Sequence, residues 1–227
     1  MAGTQLAGCV SAPPTDVPIW LGQVGMGAPV VTRPVQSWKD LKFAGIVRQR
    51  SDFSCGAAVL ATIFNEAFGH GTTEHQVLVN MLKVADPDLV REKGFSLLDM
   101  KTYVQLVGMS GEGYRLDYDM LRQLNLPVIA LINIKGYKHF VVIRKTFPDH
   151  VAIGDPALGN RVMERRAFEV AWNQVAFVIT GDGYDPANVL IDPPEPLSAS
   201  RLLKQHAVIP GAETAEFGFG PKYQFSF

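Results

Sequence analysis

Acyl transfer through a thioester needs a nucleophilic thiolate, a base that takes and returns a proton, an acceptor that orients the base, and a donor for the oxyanion. Cys55 is a candidate nucleophile, because it opens the run Cys55–Phe68 (CGAAVLATIFNEAF). That run reads as a mostly buried helix, and the unpaired amides and dipole of a helix start favour an ionised sulfur. The plain alternative is a small buried core residue, a common fate of free cysteines. For the base, five histidines compete. His70 lies 15 positions along the same helix, about 22 Å away at ~1.5 Å per residue. His75 sits in the next helix start, His150 in a turn beside Asp149, and His206 in the C-terminal extension. His139 differs, since it begins an apolar strand just after the turn Lys135–Lys138. A side chain there emerges at a sheet edge or cleft, although a lone histidine can equally be structural. Asp155 ends the following strand, and the hairpin returns it towards His139; Asp155-Pro156 is also an ordinary turn starter. Gln49, six residues before Cys55, could donate to an oxyanion together with the Cys55 amide.

These residues need elements to hold them. Ahead of Cys55, Asp52 and Ser54 are candidate N-caps, and Gly69 or Gly71 ends the helix. Thr73 with Gln76 forms a capping-box pattern for a helix through about Lys83, and Ser96 with Asp99 opens another through about Val107. A short helix is expected over Tyr118–Leu124. Strands follow at Pro127–Ile134, His139–Arg144, Val151–Asp155 and Val175–Thr180, joined by connections short enough to imply antiparallel pairing. Helices first and strands second is an α+β order. The paired glycines at 25/27 and 108/111/113 lack a strand-to-helix setting and read as turns.

Composition bounds the partners. The net charge of -1 provides no bulk basic field for nucleic acid or anionic lipid. Hydrophobic residues at 47% and charged residues at 19% exclude a wholly disordered chain. Two cysteines cannot make a disulfide scaffold, and a Cys9–Cys55 bridge would block the candidate nucleophile. No apolar run approaches the ~20 residues of a membrane span, and no Gly-Lys-Ser/Thr phosphate loop occurs. Three zones emerge. Residues 1–40 are a Pro/Gly-rich extension whose prolines discourage regular structure, 41–180 a compact domain, and 181–227 a Pro-rich extension ending in an aromatic strand.

At Gln49–Ala58 (QRSDFSCGAA), His139–Ile143 (HFVVI) and Asp155–Gly159 (DPALG) the sequence resembles the bacteriocin-processing family of papain-like cysteine peptidases. The likeness covers roughly residues 41–180. It implies a papain-like α+β fold with Cys55 as nucleophile, His139 as general base and then acid, Asp155 as its orienter and Gln49 as oxyanion donor, with no metal or organic cofactor. The family's exporters carry membrane helices and an ATPase, which this chain lacks, so their double-glycine leader specificity is not carried over. Ser37–Lys42 and Gly94–Lys101 are similar to a stand-alone, exported bacterial branch, part of which is associated with secretion of functional amyloid in biofilms. The implied activity is a cysteine endopeptidase of the periplasm or cell envelope, cutting an exported protein or leader peptide. The rivals are a catalytically silent binding or chaperone module on the same fold, and a transglutaminase or amidase using the same triad.

The ends carry two further signals. Leu6–Cys9 (LAGC) is a lipoprotein-peptidase pattern that makes Cys9 a candidate lipidation site and membrane anchor. Only Met1–Gln5 precede it, short of the roughly 7–15 apolar residues of a signal peptide. In Glu216–Phe227, Phe217, Phe219, Tyr223, Phe225 and Phe227 share one parity, a period-2 strand with one aromatic face. That strand either covers the protein's own core or pairs with a partner's strand.

Overall fold

Helix Cys55–Phe68 is the axis of the molecule, with twelve of its fourteen residues buried. A helix apolar nearly all round must be sheathed on all sides. A computed structural model describes residues 37–192, together with the backbone of Thr15–Ile19 and Val31–Val35. In chain order the elements are β1 (Thr15–Ile19), β2 (Val31–Val35), α1 (Trp38–Lys42), α2 (Cys55–Phe68), α3 (Glu74–Met81), α4 (Pro87–Lys93), α5 (Leu97–Leu106), β3 (Ser110–Arg115), α6 (Tyr118–Gln123), β4 (Val128–Ile134), β5 (Tyr137–Thr146), β6 (His150–Asp155), β7 (Gly159–Glu164), α7 (Arg165–Ala171) and β8 (Trp172–Thr180). The expected α+β order is borne out, with a helical half followed by one six-stranded sheet of order β3-β8-β4-β5-β6-β7, every neighbouring pair antiparallel.

Local sequence chemistry sets the helix ends. Gly69 adopts φ 69° and the His70 amide bonds back to the Phe64 carbonyl at 3.0 Å, a left-handed cap that closes α2. Thr73/Gln76 and Ser96/Asp99 form full capping boxes on α3 and α5, as their spacing predicts. Ser54 occupies the N-cap position of α2 without capping it. Its hydroxyl donates to the Ser51 carbonyl at 2.9 Å and accepts from the Ser51 amide at 3.2 Å, tightening the loop ahead of Cys55.

The sheet separates two apolar layers. On one face Ile129, Leu131, Phe140 and Val142 pack with Leu60 of α2, Val77 of α3 and Met100 of α5. On the other, Val128, Ala130, Ile132, Val141 and Ile143 pack with Tyr118 and Leu121 of α6 and Phe168 of α7. Burial of both faces is why β4 and β5 read as unbroken apolar runs despite being antiparallel.

Several elements depart from expectation. Gly111 and Gly113 lie within β3, paired with β8, and are not turn residues. A Cβ at Gly111 would stand 2.6 Å from the Phe177 ring, so the missing side chain makes room for a core aromatic. The Pro-rich N-terminal zone does pair: β1 and β2 form an antiparallel ribbon with Asp16 opposite Pro34 and Pro18 opposite Thr32. A two-stranded ribbon leaves one side of each strand free of ladder bonds, which is where a missing amide is tolerated. α4 and α7 are short and largely exposed and β7 is a mostly half-buried edge strand, with one buried residue each (Val90, Phe168 and Gly159). Residues 181–192 lie on the core, where Leu190 is fully buried and the Asp185 amide donates to the Ala67 carbonyl at 2.8 Å. Cys9, His206 and the Glu216–Phe227 segment lie outside the described residues.

Candidate active site

Strand pairing sets two of the four candidate residues. The β5–β6 register puts Gly154 opposite Val142, so Asp155 returns towards the start of β5, where His139 stands. His139 Nε2 and Asp155 Oδ1 meet at 2.8 Å, with both residues buried. The turn after β6 fixes the carboxylate further, because Oδ1 also accepts from the amides of Ala157 at 2.9 Å and Leu158 at 3.0 Å. Asp155 is therefore both the turn starter and the imidazole's partner. Its second oxygen, Oδ2, accepts from Arg161 Nε at 3.1 Å, a contact that the sequence reading did not anticipate.

Cys55 enters from the first turn of α2, and its sulfur lies beside the His139 ring. With Nε2–H donated to Asp155, Nδ1 is the ring nitrogen left to exchange a proton with the thiol. Nδ1 is buried and has no partner in full hydrogen-bond geometry among the described residues. Burial alone would lower the imidazole pKa. The hydrogen bond to Asp155, then the nearby Cys55 sulfur, and the charges of the two outweigh it and raise the pKa to about 9. Burial would likewise raise the Asp155 pKa; the hydrogen bond and charge of His139 and the Leu158 and Ala157 amides instead hold it below the ordinary carboxylate value.

Gln49 stands on a segment bonded to three elements. The Val47 amide donates to Thr62 Oγ1 of α2 at 2.9 Å, the Gln49 amide to the Pro156 carbonyl at 2.9 Å, and the Arg50 amide to Glu74 Oε1 of α3 at 3.0 Å. Close approach makes this seam possible, since a Cβ on Gly154 would stand 2.2 Å from the Ile46 side chain. The Gln49 Nε2 group donates to the Ser51 carbonyl at a long 3.3 Å, a weak bond that a stronger acceptor can replace. Tyr137, two residues before His139 and on the same side of β5, stacks on the imidazole with ring centroids 5.7 Å apart. Its hydroxyl donates to the Asp52 carbonyl at 3.4 Å.

A cleft of about 740 Å³ opens at Cys55. Its walls are mainly apolar, from Phe53, Phe95, Leu131, Tyr137 and Phe140, and its rim carries Arg91, Lys93 and Lys138 beside Asp52 and Glu92. The other histidines lie elsewhere. His70 packs against Phe64 and Phe68, His75 is exposed in α3, and His150 bonds Asp149 Oδ1 through Nδ1 at 2.7 Å. No described helix is long and apolar enough to cross a membrane.

An α+β frame that sets a thiol lining a cleft beside a buried imidazole–carboxylate pair has the layout of a cysteine peptidase, and comparison with known proteins agrees on that class. Residues 44–182 match the Peptidase C39 family. The probable functional amyloid protease FapD of Pseudomonas fluorescens is 44% identical over 206 residues, covering 89% of this chain and 91% of that one. The protein of the same name from Pseudomonas aeruginosa is 47% identical over 193 residues, 85% of each chain. Among solved structures, a double-glycine-motif protease from an AMS/PCAT transporter, crystallised with its leader peptide, has a similar fold. The TM-score is 0.51 at 23% identity, over 60% of this chain and 89% of that one. The chain belongs to the Peptidase C39 family and is a cysteine peptidase.

Proposed function

We propose that Cys55, His139, Asp155 and Gln49 carry out peptide hydrolysis through a thioester, and that the substrate is an exported subunit or accessory protein of a functional-amyloid system in the bacterial envelope. The observation that carries the reading is the buried His139–Asp155 pair at 2.8 Å, with Cys55 acting on the same imidazole at the mouth of the cleft. The Cys55 thiolate attacks the scissile carbonyl, and the new C–S bond places negative charge on the carbonyl oxygen. Gln49 Nε2 leaves the Ser51 carbonyl to donate to that oxyanion together with the Cys55 amide. Imidazolium His139 passes its proton to the leaving amine as the C–N bond breaks. Neutral His139 then takes a proton from water, and the resulting hydroxide opens the thioester, releasing the acid and restoring the thiolate–imidazolium pair. Asp155 holds the ring throughout and stays ionised.

The substrate assignment is supported by the FapD name of the relatives. The apolar cleft walls suit an extended peptide with apolar side chains near the cut. Lipidation of Cys9 would hold the enzyme at a membrane surface, and the Glu216–Phe227 segment would offer a strand for pairing with a partner; both belong to this proposal. The test is mass spectrometry of the exported proteins of a host that carries this chain or its Cys55→Ala variant. The expected outcome is a neo-terminus in one or more envelope or amyloid proteins that disappears with Cys55→Ala. Identical termini in the two strains would overturn the substrate assignment.

A further inference from the structure

We propose that Arg161 is a positioning residue of this peptidase: it holds the outer oxygen of Asp155 and offsets its charge, so that Asp155 and Arg161 face His139 as one nearly neutral unit. The proposal rests on the reading of Cys55 and His139 given above. Arg161 Nε and Nη2 both lie 3.1 Å from Asp155 Oδ2. Oδ1 is already engaged by His139 and by two turn amides, so Arg161 alone answers the second oxygen among the described residues. The Asp155 side chain is 1% exposed and that of Arg161 25%, so solvent screens the pair poorly. The sheet register builds the contact: the β6–β7 hairpin pairs Asp155 with Gly159 and Ile153 with Arg161, so the guanidinium stands across the turn from the carboxylate.

The chemistry gives this contact a purpose. A bare, buried carboxylate 2.8 Å from the imidazole would hold the imidazolium proton tightly. Acylation requires His139 to surrender that proton to the leaving amine. A positive charge behind Asp155 weakens the hold while leaving the orienting hydrogen bond intact. The groups facing His139 are Cys55 from α2, Asp155 from the end of β6, and Tyr137 from β5, with Arg161 of β7 behind Asp155.

The test is the rate of Cys55 alkylation by iodoacetamide in the full chain, followed between about pH 5 and 11, which brackets the imidazole titration. Loss of the imidazolium gives the profile its upper inflection; the plateau of fast reaction below it, which needs the ion pair, should vanish in His139→Ala and leave the single rise of an ordinary thiol. Arg161→Gln is expected to move that inflection up by about half to one pH unit, and Arg161→Lys, which keeps the charge, by less than about 0.3. Arg161→Met takes the place of the glutamine variant should circular dichroism show the latter unfolded. An arginine that only braced the turn would lower the melting temperature and leave the inflection in place. A low-pH plateau lost in His139→Ala, with the upper inflection unmoved or lowered in the charge-removing variants, would overturn the Arg161 proposal alone. A low-pH plateau that persists in His139→Ala would remove the Cys55–His139 reading and this proposal with it.

Discussion

Asp155 Oδ1 serves two structures at once, receiving the imidazole Nε2–H and the amides of the Ala157–Leu158 turn. This sharing has a pH signature. The His139 pKa rises from 6.5 to about 9 on folding, so its contribution to stability is complete below 6.5 and is lost as pH climbs through about 9. The Asp155 pKa falls below 3.8, so its contribution is complete above 3.8 and is lost as pH drops through the depressed value. The pair therefore supports the fold fully between those two unfolded-state values. The melting temperature of the wild type is expected to fall between pH 7 and 9 more steeply than that of His139→Ala, and parallel curves would contradict the assignment. Gln49→Ala is expected to lower kcat by about 10²–10³-fold with little change in KM, as removal of one oxyanion donor does; unchanged kcat would remove that role. The sequence made Cys55 and Asp155 legible because each stands at an element end that local chemistry marks, and His139 because it follows a glycine turn at the head of an apolar run; it made Gln49, in the loop ahead of α2, legible only beside the other three and through the family likeness. It hid Arg161 and Tyr137, whose roles come from strand register and ring stacking and leave no local pattern.

Elements that the sequence announced are those with a strong apolar run or a recognisable cap: α2, α3, α5, α6, β4, β5, β6 and β8. Of the missed ones, α1 and α4 carry caps from Ser37 and Asp86 but are too short to show an apolar period, and the missed strands lack an apolar run. β3 reads Ser-Gly-Glu-Gly-Tyr-Arg, and its glycines serve the packing of Phe177 rather than strand propensity. β7 (GNRVME) is an edge strand whose polar face meets solvent. The turn between β6 and β7 shows how an element boundary governs the site. Gly159 has φ 80°, and a Cβ there would stand 2.5 Å from the Lys42 carbonyl oxygen. Gly159→Ala is therefore expected to cost about 2–4 kcal/mol in urea unfolding, combining left-handed strain with overlap. Because the turn carries Asp155 at one end and Arg161 just past the other, activity should fall by more than the unfolded fraction explains. A stability change under about 0.5 kcal/mol, the range of neutral surface substitutions, would show that the turn relaxes freely.

For the molecule as a whole, composition bounded the sheath: a chain with 47% hydrophobic residues could cover α2 on every side. It could not show where that sheath ends. Beyond Thr180 the chain still packs, with Leu190 fully buried and the Val189 carbonyl accepting from the buried Arg144 Nη2 at 2.6 Å. A chain ending at residue 180 would leave that guanidinium short of an acceptor and an apolar hollow where Leu190 sat. Relative to a chain ending at residue 192, it is expected to lose about 3 kcal/mol of unfolding free energy. Equal stabilities would show that the last described turn is ornamental.

The seam that joins the Gln49 amide to the Pro156 carbonyl ties the loop ahead of Cys55 to the turn that carries Asp155 without an intervening hinge. Cys55, meanwhile, rides the opening turn of the most buried helix. Such an enzyme has no half-assembled form to visit on warming. Catalytic competence and tertiary packing should vanish at one temperature, so that a thermal inactivation curve and a near-ultraviolet dichroism melt would superimpose.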